Sequence, residues 1–182
     1  GSKAFIGIRS FSDQPDSVIE YGKAALNGYR DAGLLTTLKH FPGLGNVIVD
    51  PHIDCPVNPL PLEDVYAQGI VPFAALAGSA DVIMTGHVIA SAIDPENCAT
   101  LSKKTLDLLR ETIGYEGVIM TDSLVMEAVA KSCRSIEEAA IRAIRAGCNI
   151  LLLGGRQLAS LDGSNELALE QIRSIKRAIV ES

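Results

Sequence analysis

Short apolar runs alternate with amphipathic stretches along the chain, which is the pattern of repeated strand–helix units. Helices are predicted where apolar residues recur every three or four positions, and buried strands where a short run is apolar throughout. This alternation favours an α/β fold with a parallel sheet over a sandwich. The predicted helices span residues 16–32, 62–76, 102–113, 135–146 and 165–180, and the predicted strands span 34–38, 81–85, 117–121 and 149–153.

One connection, residues 40–61, is much longer than the others and is rich in glycine and proline. Long irregular loops inside a compact domain are uncommon, and they are usually either functional or disordered. This loop carries His40, Asp50 and His52, which favours a functional role.

Polar residues stand where the first three predicted strands end, namely Lys39-His40, Gly86-His87 and Asp122. The carboxyl ends of consecutive parallel strands meet on one rim, where barrels and open α/β sheets build their active sites. Two of these residues have simpler interpretations. His87 could be a hydrogen-bonded structural histidine, and Asp122 could cap a helix starting near Leu124.

Composition narrows the class of protein. The chain has 182 residues, of which 47% are hydrophobic, enough for one globular unit. A formal net charge of −6 without a cluster of Lys and Arg argues against a nucleic-acid partner. No apolar run approaches the ~20 residues that cross a bilayer, so no membrane partner is expected. Gly1 and Ser2 are typical of a remnant of an expression tag.

The cysteines predict reduced thiols and a cytoplasmic protein, because no C-x-x-C spacing is present and a chain with a core of this size does not need disulfides. The interval from His40 to His52 matches none of the common zinc-ligand arrangements, so no metal is expected. Neither a Gly-rich nucleotide motif nor a G-x-S-x-G elbow occurs. The four cysteines are Cys55, Cys98, Cys133 and Cys148.

Two motifs carry a specific resemblance. The run KHFPG at residues 39–43, followed by Gly45 and by Asp50-Pro51-His52, closely resembles the β-N-acetylglucosaminidase branch of glycoside hydrolase family 3. The run GVIMTDSL at residues 117–124 resembles the nucleophile strand of that family, and IGIRSF at residues 6–11 is a third, weaker match. The chain departs from the family at Pro51, where Ser is common, and at Leu44, where His is common.

This resemblance implies a retaining glycosidase that removes terminal β-linked N-acetylglucosamine from sugars derived from peptidoglycan or chitin. It further implies that Asp122 is the nucleophile and that His52 is the general acid/base, oriented by Asp50. Sugar hydroxyls would be held by three cationic or imidazole side chains, and no cofactor is implied. These three residues are Lys39, His40 and Arg9.

Four strand–helix units are too few to close an eight-stranded barrel of about 250 residues. The resemblance therefore implies that residues 1–182 form a single partial domain, the C-terminal half of a (β/α)8 TIM barrel. We expect the exposed inner face and the open sheet edges to cause self-association, and we expect little hydrolysis by this chain alone. Two alternatives are a non-catalytic half-barrel or binding module and a β-glucosidase of the same family.

Overall fold

The computed structural model describes residues 7–44, 47, 55–130, 132–154 and 166–182. Within these ranges the fold is an α/β arrangement with parallel strands, as predicted. The strands are β1 (Thr37–Phe41), β2 (Val57–Asn58), β3 (Val82–Thr85), β4 (Ile89–Ala90) and β5 (Val118–Met120). The α-helices are α1 (Pro15–Asp31), α2 (Leu62–Asp64), α3 (Val71–Leu76), α4 (Lys103–Asp107), α5 (Glu127–Ala130), α6 (Ile136–Ala146) and α7 (Glu166–Glu181).

The central sheet has the strand order β1-β3-β5, and both pairings are parallel. Its side chains form the core: Phe41, Ile83 and Ile119 are all fully buried. Parallel strands are usually covered on both faces in a complete domain, and β3 and β5 have the nearly uninterrupted apolar sequences that are typical of such strands. Within the described ranges β1 pairs on one side only, so this edge of the sheet is open.

The longer helices begin and end where the sequence indicates. Pro15 occupies the first turn of α1, where its missing N–H costs nothing. Ser135 caps α6 by accepting a hydrogen bond from the Glu138 amide at 3.2 Å, and Gly147 ends that helix with a φ of 122°. Gly22 lets α1 lie close to α3, since a Cβ there would meet Leu76 Cδ1 at 2.7 Å.

The first strand begins later than predicted. β1 starts at Thr37, whereas the apolar run suggested residues 34–38. Leu34 and Leu35 precede the strand and are 55% and 84% exposed. The first residue held against β3 is Thr36. The amide and the hydroxyl of Thr36 both donate to Asp81 Oδ2, at 2.7 and 2.9 Å, and this contact sets the register of β1 against β3.

The prediction of a strand at residues 149–153 is wrong. Ile150 forms only a single parallel bridge with Met120, and the chain beyond it is extended but irregular. Backbone bonds nevertheless keep this segment beside β5, from Thr121 N to Ile150 O and from Leu124 N to Leu152 O, each 3.0 Å. Asn149 assists, because its Oδ1 accepts a hydrogen bond from the Ile119 amide at 2.9 Å.

Two predicted helices, 62–76 and 102–113, each contain a π-helical segment, at Val65–Ile70 and Leu108–Thr112. Sequence reasoning also missed the small parallel pair formed by β2 and β4, which lies outside the central sheet. In the described part of the chain, no helix combines the length and the apolar character needed to span a bilayer.

Candidate active site

The carboxyl ends of β1, β3 and β5 bring their polar residues together, as predicted. His40 Nε2 lies 3.5 Å from Asp122 Oδ2. The His40 side chain is 12% exposed and the Asp122 side chain 22% exposed. The site therefore presents a carboxylate that is shielded from bulk water but still accessible to a small polar molecule.

Asp122 is held by the backbone of the residue that follows it. Its Oδ1 accepts a hydrogen bond from the Ser123 amide at 2.7 Å. The next helix begins only at Glu127, so Asp122 is not the N-cap residue that the sequence left open. The adjacent Thr121 is fully buried, and its Oγ1 accepts a hydrogen bond from the Leu152 amide at 2.9 Å. One carboxylate oxygen is thus fixed by the backbone, and the other faces His40.

Burial lowers the pKa of His40 from 6.5 to about 4. The negative charge of Asp122 opposes this shift, while the positive charges of Lys39 and Arg9 add to it. His40 is therefore a neutral imidazole at neutral pH, able to donate one hydrogen bond and accept another. Lys39 and Arg9 are exposed, and their effect on His40 places both cations in the field of the same site.

The turn after β1 depends on close backbone packing. Gly43 has a φ of 101° and its amide donates to His40 O at 2.8 Å. A Cβ on Gly69, in the π-helical segment, would meet Pro42 O at 2.2 Å. A Cβ on Gly86 would lie 3.2 Å from His40 Cβ. Glycine at these positions lets neighbouring backbones approach until His40 reaches the rim.

Asp50 and His52, the predicted acid/base pair, lie outside the described residues. The described residues on either side of them are anchored near the rim. Val47 is buried in a small apolar cluster with Val88. Cys55 Sγ donates to His87 O at 4.0 Å. Both ends of the segment that contains Asp50 and His52 therefore contact the chain that follows β3.

His87 is one of the most buried polar residues, with 1% of its surface exposed. Its Nδ1 lies 2.8 Å from Thr100 Oγ1 and its Nε2 lies 2.9 Å from Ser123 O. The structural interpretation of His87 as a hydrogen-bonded residue agrees with these contacts. Sequence reasoning missed Thr100 and Ser123 as its partners, because neither strand periodicity nor spacing links residues this far apart.

The arrangement suits displacement at an electrophilic carbon of a polyhydroxylated substrate. It combines an accessible carboxylate, a neutral imidazole and two nearby cations, the groups that attack such a carbon and bind hydroxyls. In the described part of the chain, no group of three or more His, Cys, Asp or Glu residues could hold a metal ion. The four cysteines are thiols.

Solved structures share this fold. A glycoside hydrolase family 3 β-N-acetylglucosaminidase from a Paenibacillus species has a TM-score of 0.78 at 31% identity, covering 98% of this chain and 38% of that one. The β-N-acetylglucosaminidase from Thermotoga maritima has a TM-score of 0.75 at 31% identity, covering 98% of this chain and 41% of that one. The predicted fold class, the C-terminal half of a (β/α)8 TIM barrel, is confirmed.

Curated proteins give the same result. A beta-hexosaminidase of Stenotrophomonas maltophilia is 36% identical over 154 residues, which are 84% of this chain and 45% of the relative. The chain thus spans about half the length of the curated relatives it matches. The protein-family model described as "Glycosyl hydrolase family 3 N terminal domain" matches residues 2–179 of this chain. This match, together with the residues at the strand ends, shows that the chain belongs to glycoside hydrolase family 3.

Proposed function

We propose that this chain carries the nucleophile of a retaining glycosidase that removes terminal β-linked N-acetylglucosamine. One observation carries the proposal: Asp122 stands at the end of β5 as an accessible carboxylate, with Oδ2 directed at His40 Nε2 across 3.5 Å. The names of the relatives support the substrate class, since they are called beta-hexosaminidase and β-N-acetylglucosaminidase.

The reaction proceeds in two displacements. Asp122 attacks the anomeric carbon, the bond from that carbon to the aglycone oxygen breaks, and the departing oxygen takes a proton from His52. Water then attacks the same carbon, gives a proton to His52, and releases Asp122. Asp50 orients the His52 imidazole and stabilises its charged form. A retaining scheme ordinarily uses two carboxylates, and here the acid/base would be an imidazole.

The neighbours of Asp122 suit these steps. Because His40 is neutral at neutral pH, it does not pair with Asp122 as a cation and leaves the carboxylate charge available for attack. Lys39, His40 and Arg9 are proposed to bind sugar hydroxyls. A site built to hydrogen-bond hydroxyls rejects analogues that lack them by large factors.

The chain covers 45% of the length of the Stenotrophomonas relative, and β1 has a free edge within the described ranges. We therefore propose that the 182-residue chain hydrolyses slowly or not at all by itself and self-associates through its open half-barrel face. Unpaired strand edges and uncovered inner faces favour such association.

The test is Asp122→Asn in the complete gene product, assayed on aryl β-N-acetylglucosaminides. We expect a loss of at least about a thousandfold in kcat, since the covalent route is removed. Asp107→Asn is the matched control, because Asp107 lies on α4 and pairs with Lys103. Trapping with a fluorinated N-acetylglucosaminyl fluoride, followed by peptide mass spectrometry, should label the peptide that contains Asp122.

The outcomes separate the alternatives. Asp122→Asn activity within tenfold of wild type would end the nucleophile assignment. Hydrolysis of aryl β-glucosides but not of N-acetylglucosaminides would indicate a β-glucosidase. Binding of glycans without hydrolysis would indicate a binding module. Light scattering of the 182-residue chain tests self-association: a stable, well-folded monomer would contradict it.

A further inference from the structure

His87 joins two parts of the site that are far apart in the sequence. A carbonyl oxygen can only accept, so the contact with Ser123 O requires that Nε2 carry the hydrogen. Its Nδ1 lies 2.8 Å from the Thr100 hydroxyl, which also lies within donating distance of Gly86 O at 3.2 Å. Thr100 Oγ1 is also 2.8 Å from Thr85 Oγ1, at the end of β3. These contacts are buried or partly buried, and they hold the imidazole in one orientation.

The bond to Ser123 acts on the residue next to Asp122. The peptide unit between Ser123 and Leu124 is held from both sides, because its oxygen accepts from His87 and its N–H donates to Leu152 O. The Ser123 amide belongs to the preceding peptide unit, so holding Ser123 O restricts its direction through the backbone of Ser123; this amide donates to Asp122 Oδ1 at 2.7 Å. The imidazole is therefore two hydrogen bonds away from the Asp122 carboxylate.

The main chain of His87 faces the other part of the site. Its carbonyl accepts the hydrogen bond from Cys55, three residues after His52. The same residue thus contacts Cys55, at the end of the proposed acid/base segment, and the backbone of Ser123, next to the proposed nucleophile. A histidine that only filled space in the core would not need hydrogen bonds to both Cys55 and Ser123.

We propose that His87 is a positioning residue that sets the orientation of the Asp122 carboxylate through the Ser123 carbonyl. This proposal rests on the proposed function of Asp122 as nucleophile. The imidazole does not touch the substrate. It restricts the strand end so that one oxygen of Asp122 stays bound to the backbone while the other is presented for attack.

The first experiment compares His87→Leu, His87→Gln and Ser102→Ala in the complete gene product. Ser102 is a matched control: it is 1% exposed, and among the described residues its side-chain hydrogen bonds are with Asp94 and Thr105. We expect His87→Leu to lower kcat about tenfold with little change in KM, since losing one of several hydrogen bonds at this strand end misplaces the reacting carboxylate only slightly. His87→Gln offers an amide N–H to Ser123 O and should restore most of the rate.

The second experiment tests whether His87 acts through Asp122. In an Asp122→Gly background, azide serves as external nucleophile toward a dinitrophenyl N-acetylglucosaminide. His87→Leu should change this rescued rate less than about threefold, because coupled residues lose their effect once the partner is removed. An equal loss in both backgrounds, or a loss in kcat no larger than that of Ser102→Ala, would overturn the proposal.

The third measurement does not depend on activity. Hydrogen exchange at the Ser123 amide, followed by NMR in the 182-residue chain, should speed up about tenfold or more in His87→Leu but not in Ser102→Ala. Unchanged protection in His87→Leu would overturn the positioning role whatever the enzyme assay gives. Absence of hydrolysis in the wild-type gene product, together with altered protection, would instead count against the proposed function alone.

Discussion

The ends of β1 and β5 each place a candidate site residue on the same rim, His40 and Asp122, but the two ends are built differently. At β1 the position of His40 depends on backbone contact, with Gly43 and Gly69 packed so closely that a Cβ on Gly43 would meet Gly69 Cα at 2.8 Å. At β5 the position of Asp122 depends on hydrogen bonds from several separate segments.

The two designs respond differently to change. Backbone packing at van der Waals distance cannot accept even one added carbon without a shift of the chain. A set of hydrogen bonds loses stability in steps, because each bond contributes about 1 kcal/mol and the remaining ones stay in place. We therefore expect the β1 end to fail abruptly and the β5 end to fail gradually.

The largest effect is expected from Gly69→Ala. The new Cβ would collide with Pro42 O at 2.2 Å, so the turn that carries His40 must move. We expect a stability loss of about 3 kcal/mol and a fall in kcat/KM of about a hundredfold. Urea denaturation measures the loss of stability, and the aryl N-acetylglucosaminide assay measures the fall in kcat/KM.

Gly28→Ala is the matched control, since a Cβ there meets nothing within 4 Å inside α1. It should raise stability by about 0.5–1 kcal/mol, because alanine is the better helix former. If Gly69→Ala kept activity within threefold of wild type, backbone contact would not be what positions the β1 end.

His40 connects the two strand ends and should make stability depend on pH. The unfolded chain binds a proton at His40 below about pH 6.5, whereas the folded protein binds it only near pH 4. Between these values the unfolded state holds more protons, so stability falls as the pH falls. We expect a loss of about 2.5 kcal/mol between pH 6.5 and 4 from this residue.

The free energy of unfolding of His40→Gln, measured over the same pH range, should lack this part of the slope. Comparison with the wild-type curve cancels the contributions of the other titrating groups. Identical slopes for the two proteins would show that burial does not hold His40 neutral.

The smallest effect is expected from Thr121→Val at the β5 end. This change keeps the shape of the side chain but leaves the Leu152 amide without its acceptor. We expect a stability loss of about 1–2 kcal/mol and a loss in kcat below about tenfold, since the bonds around Ser123 remain. Thr37→Val, at an exposed position of β1, should change stability by less than about 0.5 kcal/mol. A hundredfold loss in kcat for Thr121→Val would mean that the β5 end fails as abruptly as the β1 end.

Local sequence signals predicted the parts of the fold that local forces decide. Pro15 at the start of α1 and Ser135 before α6 mark helix ends through their own backbone chemistry. The convergence of His40 and Asp122 was also predictable, because parallel strands bring their carboxyl ends to one edge. In contrast, Asp50 and His52 lie outside the described residues, and their roles stay predictions.

Contacts between distant segments decided what the sequence could not predict. The register of β1 is set by Thr36 and Asp81, which are 45 positions apart, and this contact overrides the apolar run at Leu34 and Leu35. The segment at Ile150 reads as a strand but is tied to β5 by irregular bonds and the Asn149 side chain. No local pattern shows that His87 reaches Ser123.

The β2–β4 pair fastens the long connection after β1 at a place outside the central sheet. Val47 is buried against Val88, and Val57 pairs with Ile89, so the segment between Val47 and Val57 is fastened at both ends to a single short stretch after β3. The described anchors of this connection are therefore made by residues other than Asp50 and His52. The proposed acid/base thus lies in a connection held at its two ends, whereas the proposed nucleophile lies at the end of a central strand.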